Sequence, residues 1–514
     1  MKNKNILFIA LLAAGFAACE PEFENELSNA DYSAGDADFT TYVAIGNSLT
    51  AGYMDGTVSR VGQSFSYPNL LAQQFALVGG GAFTQPSFEE DVNNLGGING
   101  LPGFNTRLII DASAGGPEPL AGTSTITLNP QAKAFNNMGV PGAKSFHLLA
   151  AGYGNAAGLS AGMANPYFVR HATSPSATVL GDAMTLNPTF FTNWIGSNDV
   201  LAYALSGGTG IDQAGNLNPA TYGGNDITDP NVFANVYSQI VNTLTSNGAK
   251  GVVATIPNVT SIPFFTTVPF APLTAEALGG EATINQLNAQ LYGPIKQALT
   301  AFGQGDRINL LSVTNPNPLL IVDESLVNLQ AQLTAALTPA VGAPTAAFIG
   351  ATYGQARQAT AADLVLLTTR TVIGSAPAGV PAPFNVFGVT YPLQDQHVLV
   401  ASEITVVNNA TDNFNNSIRA IAGSKNLAVA DMNAILGQLV TGLRVEDGQI
   451  YTADYFSTDR LSTTLFSLDG VHPNARGYAV VASEIVKVIN QYYNAKLPLI
   501  SAGYFPGATV LPSN

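Results

Sequence analysis

Apolar residues along this chain fall into two rhythms. Short, nearly continuous apolar runs occur at Tyr42-Val43-Ala44-Ile45 (ending at Gly46), Ala134-Phe135, Phe190 to Ile195, Val252 to Ile256 and Leu427 to Ala430. Such runs predict strands buried on both faces. Between them, apolar positions recur every three or four residues. Asp229-Pro230 opens one such stretch, with Val232, Val236, Ile240 and Leu244 on one face and Asn247-Gly248 as the stop. Ile404, Val407, Thr411, Phe414 and Ile418 form a second stripe. A third follows Pro473 through Tyr478, Val481, Ala482, Ile485, Ile489 and Tyr492. Strands alternating with helices predict an α/β fold on a mainly parallel sheet.

Two stretches break the alternation. Gly80 to Pro130 is loop-rich, with one expected strand near Leu108-Ile109-Ile110. Residues 312–395 read as a large Ala/Thr/Pro-rich insertion. Within it Thr360 to Thr369 is predicted helical, with Thr360 and Asp363 spaced as a capping box, before Pro377, Pro381 and Pro383 break the chain. Both stretches are expected to decorate one body at 39–500, followed by a tail at 501–514.

The amino end carries a different signal. Lys2 and Lys4 precede an uncharged apolar run from Ile6 to Ala18, too short to span a bilayer and suited to an export leader over residues 1–18. Phe16-Ala17-Ala18-Cys19 resembles the bacterial lipobox, which implies lipidation of Cys19, the one cysteine; the alternative is plain cleavage after Ala17. Residues 19–38 are acidic and polar and read as a tether. Glu20 after Cys19 is compatible with outer-membrane delivery, so the expectation is an exported, outer-membrane lipoprotein held to the membrane by its lipid.

Composition narrows the classes. Lys plus Arg is 19 and Asp plus Glu is 34, a formal charge of −15, which argues against a nucleic-acid partner. A single cysteine excludes a disulfide framework. Charged residues are only 10% and hydrophobic ones 46%, which excludes disorder. High Gly and low charge would also suit an outer-membrane β-barrel, but recurrent helical stripes exclude one.

Candidate chemistry lies at the strand ends. The first strand runs into Gly46-Asn47-Ser48-Leu49-Thr50-Ala51-Gly52-Tyr53, and a Ser in a tight strand-to-helix turn exposes Oγ at the sheet's carboxyl edge. Thr50 excludes the Gly-x-Ser-x-Gly elbow; taken alone, Ser48 is better read as a helix cap or turn Ser. Far downstream lies Leu468-Asp469-Gly470-Val471-His472-Pro473. Asp469 and His472 are close enough for the carboxylate to fix the imidazole tautomer. Of the four histidines, at 147, 171, 397 and 472, only His472 has a carboxylate at this spacing in a Gly/Pro turn. Asn137-Met138-Gly139-Val140-Pro141-Gly142 offers a backbone N–H at Gly142, and Trp194-Ile195-Gly196-Ser197-Asn198-Asp199 offers the Asn198 amide. With the Ser48 N–H these could hold an oxyanion.

The order Ser, Gly, Asn, Asp-x-x-His resembles the SGNH (GDSL) hydrolase superfamily over residues 41 to about 494. The matching positions are Gly46, Ser48, Leu49 and Ala51-Gly52-Tyr53; Asn137 and Gly142; Gly196, Asn198 and Asp199; and Asp469, His472 and Pro473. The resemblance implies a flavodoxin-like three-layer α/β/α sandwich and no metal or other cofactor. It also implies Ser48 as nucleophile, His472 as base, Asp469 as its orienting partner, and Ser48, Gly142 and Asn198 as the oxyanion hole. Asn47 replaces the Asp of the family motif, a change expected to alter local hydrogen bonding and spare activity. Ala254-Thr255-Ile256-Pro257-Asn258-Val259-Thr260 and Tyr391-Pro392-Leu393 look like exported members from Bacteroidetes-type bacteria.

The expected function is therefore ester hydrolysis through an acyl-enzyme, on a lipid acyl ester or an O-acetylated glycan, with activity falling as His472 protonates. Ile262-Pro263-Phe264-Phe265 either lines an acyl site or packs in the core. The competing class is a surface lipoprotein that binds glycan or lipid without turnover; nothing in the sequence identifies a protein partner.

Overall fold

The computed structural model describes residues 31–511 apart from 112, 114, 115, 446, 447, 458 and 459. The leader, Cys19 and the tether up to residue 30 lie outside the described residues. Twelve elements carry the architecture used below: β1 (Tyr42–Gly46), α1 (Ser48–Ala51), α2 (Tyr67–Ala76), β2 (Asn137–Gly139), β3 (Phe190–Trp194), α3 (Asn198–Leu205), α4 (Pro230–Leu244), β4 (Lys250–Ala254), α5 (Ala401–Ser424), β5 (Ala428–Ala430), α6 (Met432–Thr441) and α7 (Ala475–Tyr492). The fold is mixed α/β around a five-stranded sheet of order β5-β4-β3-β1-β2, every pair parallel.

Every residue of β1 and β3 is buried, as expected for central strands of a parallel sheet. From β1 the chain passes to β2 on one side and then to β3 on the other. The order reverses there, so the loops leaving β1 and β3 diverge and open a crevice at their carboxyl ends. Helices α2 and α7 pack together, as do α4 and α5. Phe75 of α2 stacks on Phe39 at 4.0 Å and meets the Tyr42 edge at 5.0 Å. Phe233 of α4 stacks on Phe414 of α5 at 4.3 Å. Such aromatic pairs add about 0.5–1.5 kcal/mol beyond their burial. The expected start of α4 is made by Asp229, whose Oδ1 accepts the Asn231 and Val232 N–H groups at 2.8 and 3.0 Å. At α7 the cap is Asn474, one residue past Pro473, accepting from Gly477 N at 2.9 Å.

Three expectations change. The second strand lies at Asn137–Gly139 rather than Ala134-Phe135. Polar side chains seat it: Asn136 Nδ2 donates to the Tyr42 carbonyl at 2.8 Å and Asn137 Nδ2 to Gln85 Oε1 at 2.8 Å. Thr360 to Thr369 is not an α-helix; only a short 3-10 turn, Leu367–Thr371, forms at its end. Asp363 does accept from Thr360 N at 2.7 Å, but Arg357 grips the same carboxylate, and Leu364–Val365 then pairs as strand with Val398–Leu399. The tether does not run free to residue 38: Asp36 N donates to the Tyr493 carbonyl at 2.7 Å, and Ser33 bridges to Lys496.

The insertion has its own apolar core, drawn from Val268 to Val400 and so beginning well before residue 312. Helices Gln330–Val341 and Ala343–Tyr353 pack side by side over it, and Leu320–Val322 pairs antiparallel with Ala356–Gln358. In the loop-rich stretch Leu108–Asp111 is a strand as expected, and Val510–Leu511 of the tail pairs parallel with it.

Candidate active site

Ser48 sits at the mouth of the crevice as the first residue of α1. Asn47 caps that helix, its Oδ1 accepting the Leu49 N–H at 3.0 Å. The Asn47 Nδ2 is buried and, among the described residues, has no acceptor. The Ser48 N–H is one of the unsatisfied donors every helix start leaves. Close approach of β2 to α1 requires glycine: a Cβ on Gly139 would stand 2.2 Å from the Ala51 backbone nitrogen. That approach sets the loop after β2 beside Ser48.

His472 and Asp469 occupy the turn leading into α7. His472 Nε2 lies 2.8 Å from Ser48 Oγ, and His472 Nδ1 lies 3.0 Å from Asp469 Oδ2. The other oxygen of Asp469 accepts the Val471 and His472 backbone N–H groups at 2.8 and 2.9 Å, and Gly56 N donates to Oδ2 at 3.2 Å. Burial alone would raise this carboxyl. The His472 ring beside it and the backbone donors outweigh burial and hold it at about 2, so it stays ionised. The Tyr53 ring packs 4.5 Å from the imidazole. The turn itself is clamped: Phe264 N donates to the Gly470 carbonyl at 2.9 Å, and Tyr455 OH to the Leu468 carbonyl at 2.6 Å.

The two remaining donors are tied to each other. Asn198 Nδ2 donates to the Ala143 carbonyl at 3.0 Å, which fixes the amide against the loop carrying Gly142. Its neighbour Asp199 is fully buried and accepts Ser145 N at 2.8 Å and Ser145 Oγ at 2.7 Å. Burial pushes Asp199 up to about 6, against those hydrogen bonds and the Lys144 charge. Consecutive residues of α3 thus hold the chain at Ala143 and Ser145, just past Gly142. Gly142 adopts φ +78°, where a Cβ would meet only Asn165 Nδ2 at 3.9 Å, and among the described residues nothing accepts from its N–H.

Ser48, Asn198 and His472 line one end of an apolar pocket that holds about 830 Å³, open mouth included. Gly142 is not part of that lining. Of the four apolar-loop residues only Ile262 reaches the pocket; Phe264 and Phe265 are buried in the main core. The other histidines serve packing. Burial and the Arg170 charge push His171 down to about 3, and burial with Lys144 pushes His147 to about 4. His397 Nδ1 accepts the Gln394 N–H at 3.1 Å.

The structure therefore brings Ser48, Asp469, His472 and Asn198 together, with Gly142 on the adjoining loop. Sequence reasoning missed the Gly56 donor, the Tyr53 packing, the anchoring by Asp199, and the pocket wall supplied by α6. Only the last left a trace: Met432, Ile435, Leu436 and Leu439 repeat at helical spacing. No family model, curated protein or solved structure matches the chain.

Proposed function

We propose that the protein is a serine esterase of the SGNH hydrolase type, cleaving carboxylic esters through an acyl-enzyme. The observation that carries this reading is the unbroken hydrogen-bonded line Ser48 Oγ–His472 Nε2 and His472 Nδ1–Asp469 Oδ2 at the end of an apolar pocket. A cap or core Ser has no use for an imidazole oriented by an ionised carboxylate. The sheet order, 2-1-3-4-5 from one edge, supports the flavodoxin-like three-layer sandwich of that superfamily.

In the first half-reaction His472 Nε2 takes the Ser48 proton as Oγ attacks the ester carbonyl. The tetrahedral oxyanion is held by the Ser48 N–H, the Gly142 N–H and Asn198 Nδ2. The C–O bond to the alcohol breaks as His472 returns its proton to the departing oxygen. Water, deprotonated by His472, then cleaves the acyl–Ser48 bond, releasing the acid and restoring Ser48. Asp469 stays charged throughout and stabilises the imidazolium. The proposal extends to an export leader, lipidation at Cys19 and outer-membrane attachment.

The test is labelling of purified protein with a fluorophosphonate probe, comparing wild type with Ser48→Ala. Labelling of wild type alone is expected. Equal labelling of both would remove Ser48 as nucleophile. Glycan or lipid retention with neither labelling nor ester turnover would favour the non-catalytic surface lipoprotein.

A further inference from the structure

The pocket beside Ser48 has walls that the ester chemistry does not need. Helix α6 turns Met432, Ile435, Leu436 and Leu439 into it, positions i, i+3, i+4 and i+7 of one apolar stripe. The facing wall comes from Leu201 of α3 and Ile262 after β4, among other apolar residues. Polar side chains enter the lining only at the catalytic end, as Asn47, Ser48, Ser197, Asn198 and His472. A sugar ring placed deeper would meet no hydrogen-bonding partner, and each unpaired hydroxyl would be penalised. An acetyl group would leave most of the wall facing water.

We propose, resting on the esterase reading, that this pocket is an acyl-chain site and that the α6 stripe sets chain length. The substrate class is then an ester of a medium-length aliphatic acid rather than an O-acetylated glycan. At about 1.5 Å per residue the stripe runs ~10 Å, room for about eight carbons of an extended chain. The chain belongs to the acyl side because the alcohol must leave before water can attack, whereas the acyl group stays on Ser48 between the two half-reactions.

The experiment measures kcat/KM of wild type on p-nitrophenyl acetate, butyrate, hexanoate, octanoate and palmitate, with octyl acetate alongside. From acetate to octanoate kcat/KM rises about fourfold per CH2, equivalent to ~0.8 kcal/mol, and it levels off or falls at palmitate. Ile435→Trp, at a half-buried position that tolerates volume, and Leu436→Trp each lower the octanoate-to-acetate ratio at least thirtyfold. Because the readout is a ratio within one preparation, partial loss of folded protein does not move it. Octanoic acid should also protect Ser48 of wild type from the fluorophosphonate probe, and protect Ile435→Trp less. A flat chain-length profile, a ratio unmoved by both variants, or preference for octyl acetate over p-nitrophenyl octanoate would overturn the acyl site while leaving the esterase standing. No turnover of any ester and no labelling at Ser48 would instead remove the reading beneath it.

Discussion

Three carboxylates and amides near Ser48 make separate predictions at the residue scale. Replacing Asp469 by Asn keeps the shape of the turn but offers the wrong tautomer to His472, so kcat should fall on the order of 10⁴-fold in steady-state ester hydrolysis. On the proposed mechanism Asn198→Ala removes one oxyanion donor, and kcat should fall on the order of 10²–10³-fold with little change in KM. Asp55 behaves differently. It is buried beside the same turn, accepts the Leu468 N–H at 3.0 Å, and is pushed up to about 7, chiefly by burial and further by Asp469, against the Leu468 bond and Arg107. Its folded value lies above its unfolded one, so the folded state binds the proton more tightly. Stability is therefore lost as pH climbs from the ordinary carboxylate range to about 7 and is flat beyond it. Asp55→Asn can still accept from Leu468 and should remove the Asp55 share of that loss; the urea midpoint should fall further from pH 5 to pH 8 in wild type than in the variant, whose remaining change belongs to other buried carboxyls such as Asp199. At this scale Ser48, Asp469 and His472 were legible because chemistry restricts which residue types can sit in such turns. Asp55 was not, since nothing in Tyr53-Met54-Asp55-Gly56 announces a partner more than four hundred positions away.

Among elements, the close contact of β2 with α1 is a joint sensitive to substitution. Gly139→Ala would drive a Cβ into backbone rather than into a yielding side chain. We expect loss of at least ~1–3 kcal/mol of stability, read by thermal or urea unfolding. A larger fractional loss of kcat than of KM should accompany it, because the displaced strand carries the Gly142 loop. The central strands and the long helices were readable from periodicity, since sheet burial and a 3.6-residue stripe leave strong marks. The strand at Asn137–Gly139 was not: it is short, carries Asn and Gly, and owes its place to the Gln85 and Tyr42 contacts. Thr360–Thr369 misled for a related reason. Its local cap is half formed, but the tertiary ion pair with Arg357 at 2.6 Å and pairing with Val398–Leu399 override helix propensity.

Over the whole molecule the main core and the insertion core are separate apolar clusters, yet the insertion reaches the turn that carries Asp469 and His472. A Cβ on Gly470 would stand 2.8 Å from Leu367 Cδ2. The α/β class and the sheet-edge position of the site were visible in the order of runs and stripes. The early start of the insertion core at Val268 was not, because Glu281–Leu287 and Gly293–Ala301 are short helices that read like any other connection in an α/β chain and carry no mark of which core they join. The anchoring proposal belongs to this scale: cells given an alkyne fatty acid should label the wild-type chain by click chemistry and fail to label Cys19→Ala.

The pairing of Ser48 with a base 424 positions later has a consequence for biogenesis. Chain growth runs from the amino end, so Ser48 leaves the ribosome long before His472. On the proposed reading neither half of the pair acts alone, so ester hydrolysis should begin only once the segment carrying Asp469 and α7 has been made and has docked against the Ser48 turn.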